Sequence, residues 1–346
     1  MSMRRVRTNQ QLPVIMVALI SMISIYCVFS RYSFTSTSFQ SDTDDTRLKA
    51  IRKSLHGRVV RNNDEVKLEG FGWMLWRDDD PGSPCVNLKT RFGWNLVRVW
   101  LVSFPSSGNT WTRYLLEAST GIFTGSVFND KTLFDAGFLG EKEPPDNGRT
   151  IVQKTHGGSL SGNPKEDLLD RYLLINSTLP AILLLRHPAK SFISYWKLLR
   201  TRNTKNKHTG QLSENMFETN FFHRYVEHVT RLWEQLAIDT LLWSVGPLHV
   251  VHYEDLVADT DHHLRQLLYF LRVPMDEDRL SCVRSHLTGN FKRVGNKELD
   301  PFTTREKLKM TLAIQRVNRL LLVLGYPEFP YIDNIFHNTT QFNGAR

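Results

Sequence analysis

Three short segments of this chain pair a strand-like run with residues that could hold an anion and move a proton. In the first, Ser103-Phe104-Pro105-Ser106-Ser107-Gly108-Asn109-Thr110-Trp111, an apolar run gives way to a loop of small residues and then to an amphipathic stretch. A strand that turns through such a loop into a helix aims backbone N–H groups and the positive end of the helix dipole at one point, which makes a cradle for phosphate. The G-x-x-x-x-G-K-[ST] pattern of nucleoside triphosphatases is missing, and with it the lysine and the metal-binding hydroxyl. The second segment, Lys154-Thr155-His156-Gly157-Gly158, offers an imidazole able to take the proton of an attacking hydroxyl and an ammonium able to balance charge on a leaving group. The third, Arg186-His187-Pro188-Ala189-Lys190-Ser191-Phe192-Ile193-Ser194-Tyr195-Trp196, presents a planar donor fork for a second phosphate, with the hydroxyl of Ser194 further along the same unit. Each segment alone also has a plain structural reading. These are a capped strand-to-helix turn, a strand-end histidine beside two glycines, and an arginine paired with a carboxylate such as Asp170 or Glu254.

The surrounding elements are what could bring the three together. From Val97 onward, short β-branched runs alternate with turns and amphipathic stretches, the signal for an α/β fold in which a parallel sheet is flanked by helices. Strands are expected over 97–104, 150–154, 181–186 and 249–253, and helices over 110–118, 189–200, 214–243, 260–271, 277–287 and 303–324. Pro274 and Pro327 stand just beyond two of these helices, as stop signals do. In a parallel sheet the C-terminal strand ends share one edge, where ligands bind, so His156 and Arg186 can face the Ser/Gly loop. The run His252-Tyr253-Glu254-Asp255-Leu256 reads as a scaffold at that edge. The aromatic-rich helix ending at Trp243 reads as core and lid packing.

In this order and at this spacing, FPSSGNTW, KTH, LLLRHPAKSFISYW and HYEDL resemble the sulfotransferases that use 3′-phosphoadenosine 5′-phosphosulfate (PAPS), over about residues 97 to 325. The resemblance implies a P-loop-like sulfotransferase fold. It also implies a 5′-phosphosulfate loop formed by Ser106, Ser107, Gly108, Asn109, Thr110 and Trp111, a 3′-phosphate site at Arg186 and Ser194, and His156 as general base. It is strongest to the WSC-domain-containing (sialate O-) sulfotransferases, in which an FPxSGNTW loop and a GNFKR segment also occur. Gly289-Asn290-Phe291-Lys292-Arg293 matches the latter, which assigns Lys292 and Arg293 to the basic segment that closes over the 3′-phosphate. The cysteine-rich WSC modules are missing. Cytosolic members carry lysine after the loop proline, where this chain has Ser106, so the cation on the bridging oxygen is expected from Lys154. The reaction implied is an in-line transfer of a sulfuryl group from PAPS to a hydroxyl of a glycan or glycoprotein, without a divalent metal. The alternative, prompted by Ser106, is a catalytically silent protein of the same fold that binds nucleotide or glycan.

Composition and the N-terminal residues set the expected compartment. With 346 residues, 41% of them hydrophobic, the chain can bury a substantial core. A net charge of +9 suits an anionic ligand or membrane surface; no nucleic-acid-binding signature accompanies it, and a nucleic-acid partner is not expected. From Leu12 to Phe29 no charge occurs, a run at the lower end of the ~17 to 25 residues that span a bilayer. Arg4, Arg5 and Arg7 precede it, which predicts a cytosolic N-terminus and a lumenal remainder. The expected organisation is a cytosolic tail (1–11), a signal anchor (12–30), a lumenal stem (31–90) onto which the FGWMLW segment docks, a sulfotransferase domain (91–330) and a C-terminal tail (331–346). The expected location is the Golgi membrane as a single-pass type II protein, and homodimers paired through stem and anchor are possible. Asn176 and Asn338 head glycosylation sequons. Of three cysteines, Cys85 and Cys282 are the pair able to meet outside a bilayer; they read either as a lumenal bridge or as two separate buried thiols. The basic loop from Arg200 to Gln211 reads as a solvated loop or as a steering patch for an acidic glycan.

Overall fold

The computed structural model describes residues 41–60, 66–157, 178–202, 214–289, 291 and 299–329. The chain divides into two compact units, Met1–Ala50 and Ile51–Arg346. Within the first, residues 41–50 are helical, as part of α1 (Ser41–Leu55). The apolar run 12–29, Asn176, Asn338, Lys292, Arg293 and the loop 203–211 lie outside the described residues. Among the described residues, no helix is long and apolar enough to cross a membrane.

The second unit is built on strands β3 (Trp100–Ser103), β4 (Gly125–Ser126), β5 (Gln153–Thr155), β6 (Ala181–Leu185) and β7 (Leu248–His252), ordered β4-β5-β3-β6-β7 in one sheet. All four pairings are parallel. The central strands are apolar on both sides, as a parallel sheet covered on both faces requires. Trp100, Val102 and Phe104 point to one face together with Ala181, Leu183 and Leu185. Val99 and Leu101 point to the other with Ile182 and Leu184. The first face is covered by α4 (Pro188–Arg202), α5 (Asn220–Trp243) and α9 (Thr304–Leu324). The second is covered by α2 (Asn109–Thr120), α7 (Thr260–Leu271) and α8 (Glu277–Ser285), with the short helices α3 (Lys131–Asp135) and α6 (Tyr253–Ala258) near strand ends.

Expected and observed elements agree within a few residues, with two local differences. Ile151 and Val152 are buried but precede the paired strand, which runs Gln153–Thr155, and the expected helix from 214 opens as a 3-10 turn, Glu214–Phe217, before α5. The larger difference lies N-terminal to residue 90. There β1 (Leu68–Met74) pairs antiparallel with β2 (Lys89–Gly93), and Val59, Trp76 and Cys85 are buried in the core that also holds α2 and α8. Trp76, the last residue of the FGWMLW segment expected to dock, and Cys85 thus share an interior with side chains from beyond residue 90. Cys85 and Cys282 are joined by a disulfide across a sequence separation of 197 residues.

Candidate active site

The C-terminal edge of the sheet gathers the three segments. β3 ends at Ser103, and the chain turns through Ser106, at φ 61°, and Gly108, at φ 93°, into α2. That helix has neither a capping side chain at its N-terminus nor an acidic residue in its first turn. The N–H groups of a first turn have no intrahelical acceptor, so the end of α2 carries donors and a positive dipole, with no carboxylate in its own first turn set against them. This is an arrangement an anion fits. Asn109 turns its side chain inward instead, donating from Nδ2 to Ser103 Oγ at 3.0 Å, so its amide closes the loop. Thr110 is half-buried in the first turn, and the Trp111 indole is buried, donating to the carbonyl of Leu287 at 2.6 Å.

β5 pairs beside β3, with Leu101 opposite Lys154 and Val102 opposite Thr155. Strand alternation puts Lys154 and His156 on the same side. His156 Nδ1 lies 2.7 Å from the carbonyl oxygen of Ser103, the residue that begins the anion loop. A carbonyl can only accept, so Nδ1 carries the hydrogen and Nε2 is the basic nitrogen of the ring. Phe128, two residues beyond β4 and about half exposed, packs against both groups. Its ring lies 4.9 Å from the His156 imidazole and 5.3 Å from Lys154 Nζ, centroid to centroid and centroid to nitrogen. No motif singled Phe128 out, because the contact depends on the β4–β5 pairing.

Arg186, at the end of β6, donates from Nη1 to the carbonyl of Ser106 at 2.7 Å, and its guanidinium lies 4.5 Å from the centroid of the Tyr253 ring. The third segment is thereby tied to the first. The carboxylate considered as its partner, Glu254, accepts the backbone N–H of His187 at 3.2 Å, and burial pushes its carboxyl above the usual range while Arg186 and Lys190 pull it back; Asp170 lies outside the described residues. Ser191, in the same segment as Ser194, approaches the loop. Its buried hydroxyl is 3.4 Å from Ser107 Oγ, whereas Ser194 is half-buried one turn further along α4. His187 is fully buried, and its Nδ1 accepts the N–H of Ala189 at 3.2 Å in the manner of a helix cap. Burial, reinforced by Lys190 and Arg186, pushes its pKa down to about 3, so the ring stays neutral.

Tyr253, read from the sequence as scaffold, touches both anion-binding elements. Its ring carries the Arg186 guanidinium, faces Gly108 and lies edge-on to Trp111 at 5.8 Å. Its pKa is raised, by burial first, with Arg186 lowering it in opposition. Arg200, the first residue of the expected steering loop, lies instead in the last turn of α4, where its guanidinium stacks 4.3 Å from Trp196. Among the described residues, one group of possible metal ligands converges, Asp79, Cys85 and His286; the Cys85 sulfur is already committed to the disulfide.

Comparison with known proteins gives three results. The sulfotransferase domain family matches residues 167–308. A WSCD family member of Drosophila pseudoobscura pseudoobscura is 34% identical over 210 residues, covering 59% of this chain and 60% of the relative. One of Drosophila melanogaster is 33% identical over 210 residues, covering 59% of each. The chain thus matches about three-fifths of the length of these relatives. Among solved structures, a mouse sulfotransferase complexed with PAP is 14% identical at a TM-score of 0.40, covering 66% of this chain and 86% of that one.

Proposed function

We propose, for a chain that carries a sulfotransferase domain and is related to WSCD family members, that it transfers a sulfuryl group from PAPS to a hydroxyl of a glycan or glycoprotein. One observation carries this reading. The loop that opens with Ser103 and passes Ser106 is bound at its first carbonyl by His156 and at a later one by Arg186, so a base and an anion-binding arginine converge on one uncapped helix end.

The donor fits the residues present. Backbone N–H groups at 108–110, where α2 starts, would hold an anion, Arg186 supplies a fixed charge beside them, and Ser107 adds a hydroxyl. PAPS would supply an activated sulfuryl group and leave as adenosine 3′,5′-diphosphate. His156 Nε2 takes the proton of the acceptor hydroxyl as its oxygen bonds to sulfur, and Lys154 with the loop amides stabilises the charge that collects on the departing oxygen. Phe128 packs against both the imidazole and the ammonium. Lys292, Arg293, Ser194 and Trp111 complete the nucleotide site in this reading, with the Golgi membrane as location, the run 12–30 as anchor and the catalytic unit in the lumen. The bridge between Cys85 and Cys282 accords with an oxidising compartment.

The test is transfer of label from PAPS to a panel of glycans and glycoproteins, with nucleotide binding measured in parallel. The expected result is transfer by the wild type and a loss of about 10²-fold or more in His156→Ala, with adenosine 3′,5′-diphosphate still bound by that variant. Full turnover by His156→Ala would overturn the base assignment. Nucleotide binding without transfer to any acceptor would favour the silent alternative, for which the observation is Ser106 at the loop position that cytosolic sulfotransferases fill with lysine.

A further inference from the structure

Helix α8 and the two residues that follow it meet α2 through three hydrogen bonds to backbone carbonyls. Arg279 Nη1 donates to Ala118 O at 3.2 Å near the C-terminus of α2. Tyr114 Oη donates to His286 O at 2.8 Å, and Trp111 Nε1 donates to Leu287 O at 2.6 Å. The last of these holds the first turn of α2, three residues after Gly108. The segment after α8 also lies close to α2: a methyl added at Gly289 would stand 2.3 Å from the Tyr114 ring.

The position of α8 is in turn set from outside the α/β layers. Cys282, in its last turns, is bonded to Cys85. His286, just beyond its end, has Nε2 2.9 Å from Asp79 Oδ2 and Nδ1 2.8 Å from the carbonyl of Cys282. Trp76 Nε1 donates to Tyr114 Oη at 3.1 Å, and its ring lies 5.1 Å from that of His286. One short stretch, 76–85, therefore reaches the end of α8 by a covalent bond, a polar contact from Asp79 and a ring contact, and also reaches α2 directly at Tyr114. Tyr114 is 3% exposed, and burial raises its pKa, so its hydroxyl keeps its proton and remains a donor.

We propose that Tyr114 and the Cys85–Cys282 bridge are positioning residues for donor binding: through α8 they fix where the first turn of α2 presents its N–H groups. The proposal rests on the reading of that turn as the donor site. Helix-end attraction for an anion is confined to the first turn, and displacement of a binding group by about 1 Å is enough to weaken what it holds. A brace acting on residues 111 and 114 therefore acts where affinity is most sensitive to position.

The experiment is calorimetric titration of the detergent-solubilised full chain with adenosine 3′,5′-diphosphate, at a temperature where circular dichroism reports full folding. Tyr114→Phe, the paired variant Cys85→Ser with Cys282→Ser, and Arg186→Ala are compared with wild type. Tyr114→Phe removes both hydrogen bonds of the hydroxyl, to His286 O and from Trp76 Nε1; with only part of that loss felt at the first turn of α2, a dissociation constant about fivefold higher is expected, with the KM for acceptor unchanged in an assay at saturating donor. The paired cysteine variant is expected to weaken binding further, again without moving the acceptor KM. If Tyr114→Phe binds nucleotide as wild type does while Arg186→Ala does not, the positioning proposal is overturned and the donor site stands. If wild type itself does not bind the nucleotide, the donor site falls and the proposal with it. Should the paired cysteine variant not fold, the Tyr114→Phe comparison still decides.

Discussion

Gly108 faces the ring of Tyr253 so closely that a methyl group added to it would stand 2.2 Å from Cε2 of the tyrosine. The glycine also sits at φ 93°, where side chains other than hydrogen are strained. Two demands therefore coincide at one position. The loop must turn sharply enough to start α2, and it must lie against the tyrosine that carries Arg186.

Gly108→Ala is accordingly expected to destabilise the fold by at least about 2 kcal/mol, as one strained residue and one overpacked contact. Thermal unfolding of the variant measures this. A melting temperature equal to that of wild type would mean that the loop and Tyr253 have room to part.

Arg186→Lys separates charge from geometry. Lysine keeps the positive charge but loses the fork that bonds the Ser106 carbonyl while lying over Tyr253. We expect nucleotide affinity to fall by about tenfold, in keeping with the roughly 1.5–3 kcal/mol of a charge-assisted bond. Affinity retained in Arg186→Lys and lost in Arg186→Ala would show that charge alone suffices.

His187 gives the fold an acid-sensitive point beside the site. Its pKa in the folded chain is about 3, against an ordinary value of 6.5, because burial and the neighbouring cations oppose its charging. Between these values the unfolded chain binds a proton that the folded chain does not, so stability is full above pH 6.5 and falls as the pH is lowered towards 3. His249, pushed down to about 4 chiefly by burial, and His252, lowered for the same reason, act in the same direction. His187→Asn, which keeps a side-chain acceptor for the Ala189 N–H, is expected to reduce the slope of unfolding free energy against pH by about one proton, ~1.4 kcal/mol per pH unit. Denaturant unfolding at several pH values reads that slope, and an unchanged slope would mean that His187 charges within the folded protein.

The sequence carried the parts of the site whose geometry is local. A strand, a Ser/Gly loop and a helix start are fixed by neighbours in the chain, and so the cradle at 103–111 could be read directly, as could the strand-end positions of His156 and Arg186. The alternation of β-branched runs with amphipathic stretches told that helices flank a parallel sheet. Asn109 shows where such reading stops, because a polar residue in a ligand loop can serve the loop itself, and here its amide bonds Ser103.

Contacts between distant segments were decided by the tertiary structure. Ser191 rather than Ser194 meets Ser107 because of how α4 is rotated against the loop. Phe128 reaches Lys154 and His156 because β4 pairs beside β5. Tyr253 joins the site because β7 ends next to β6. The docking of FGWMLW could be read from its tryptophans, but the surface that receives Trp76, and the joining of Cys85 to Cys282 where two separate thiols were the alternative, depended on where α8 packs. Chain chemistry by itself thus determined which groups could bind and react. Packing determined which of them meet, since rotation of a helix about its axis and the order of strands in a sheet depend on side chains far apart in sequence.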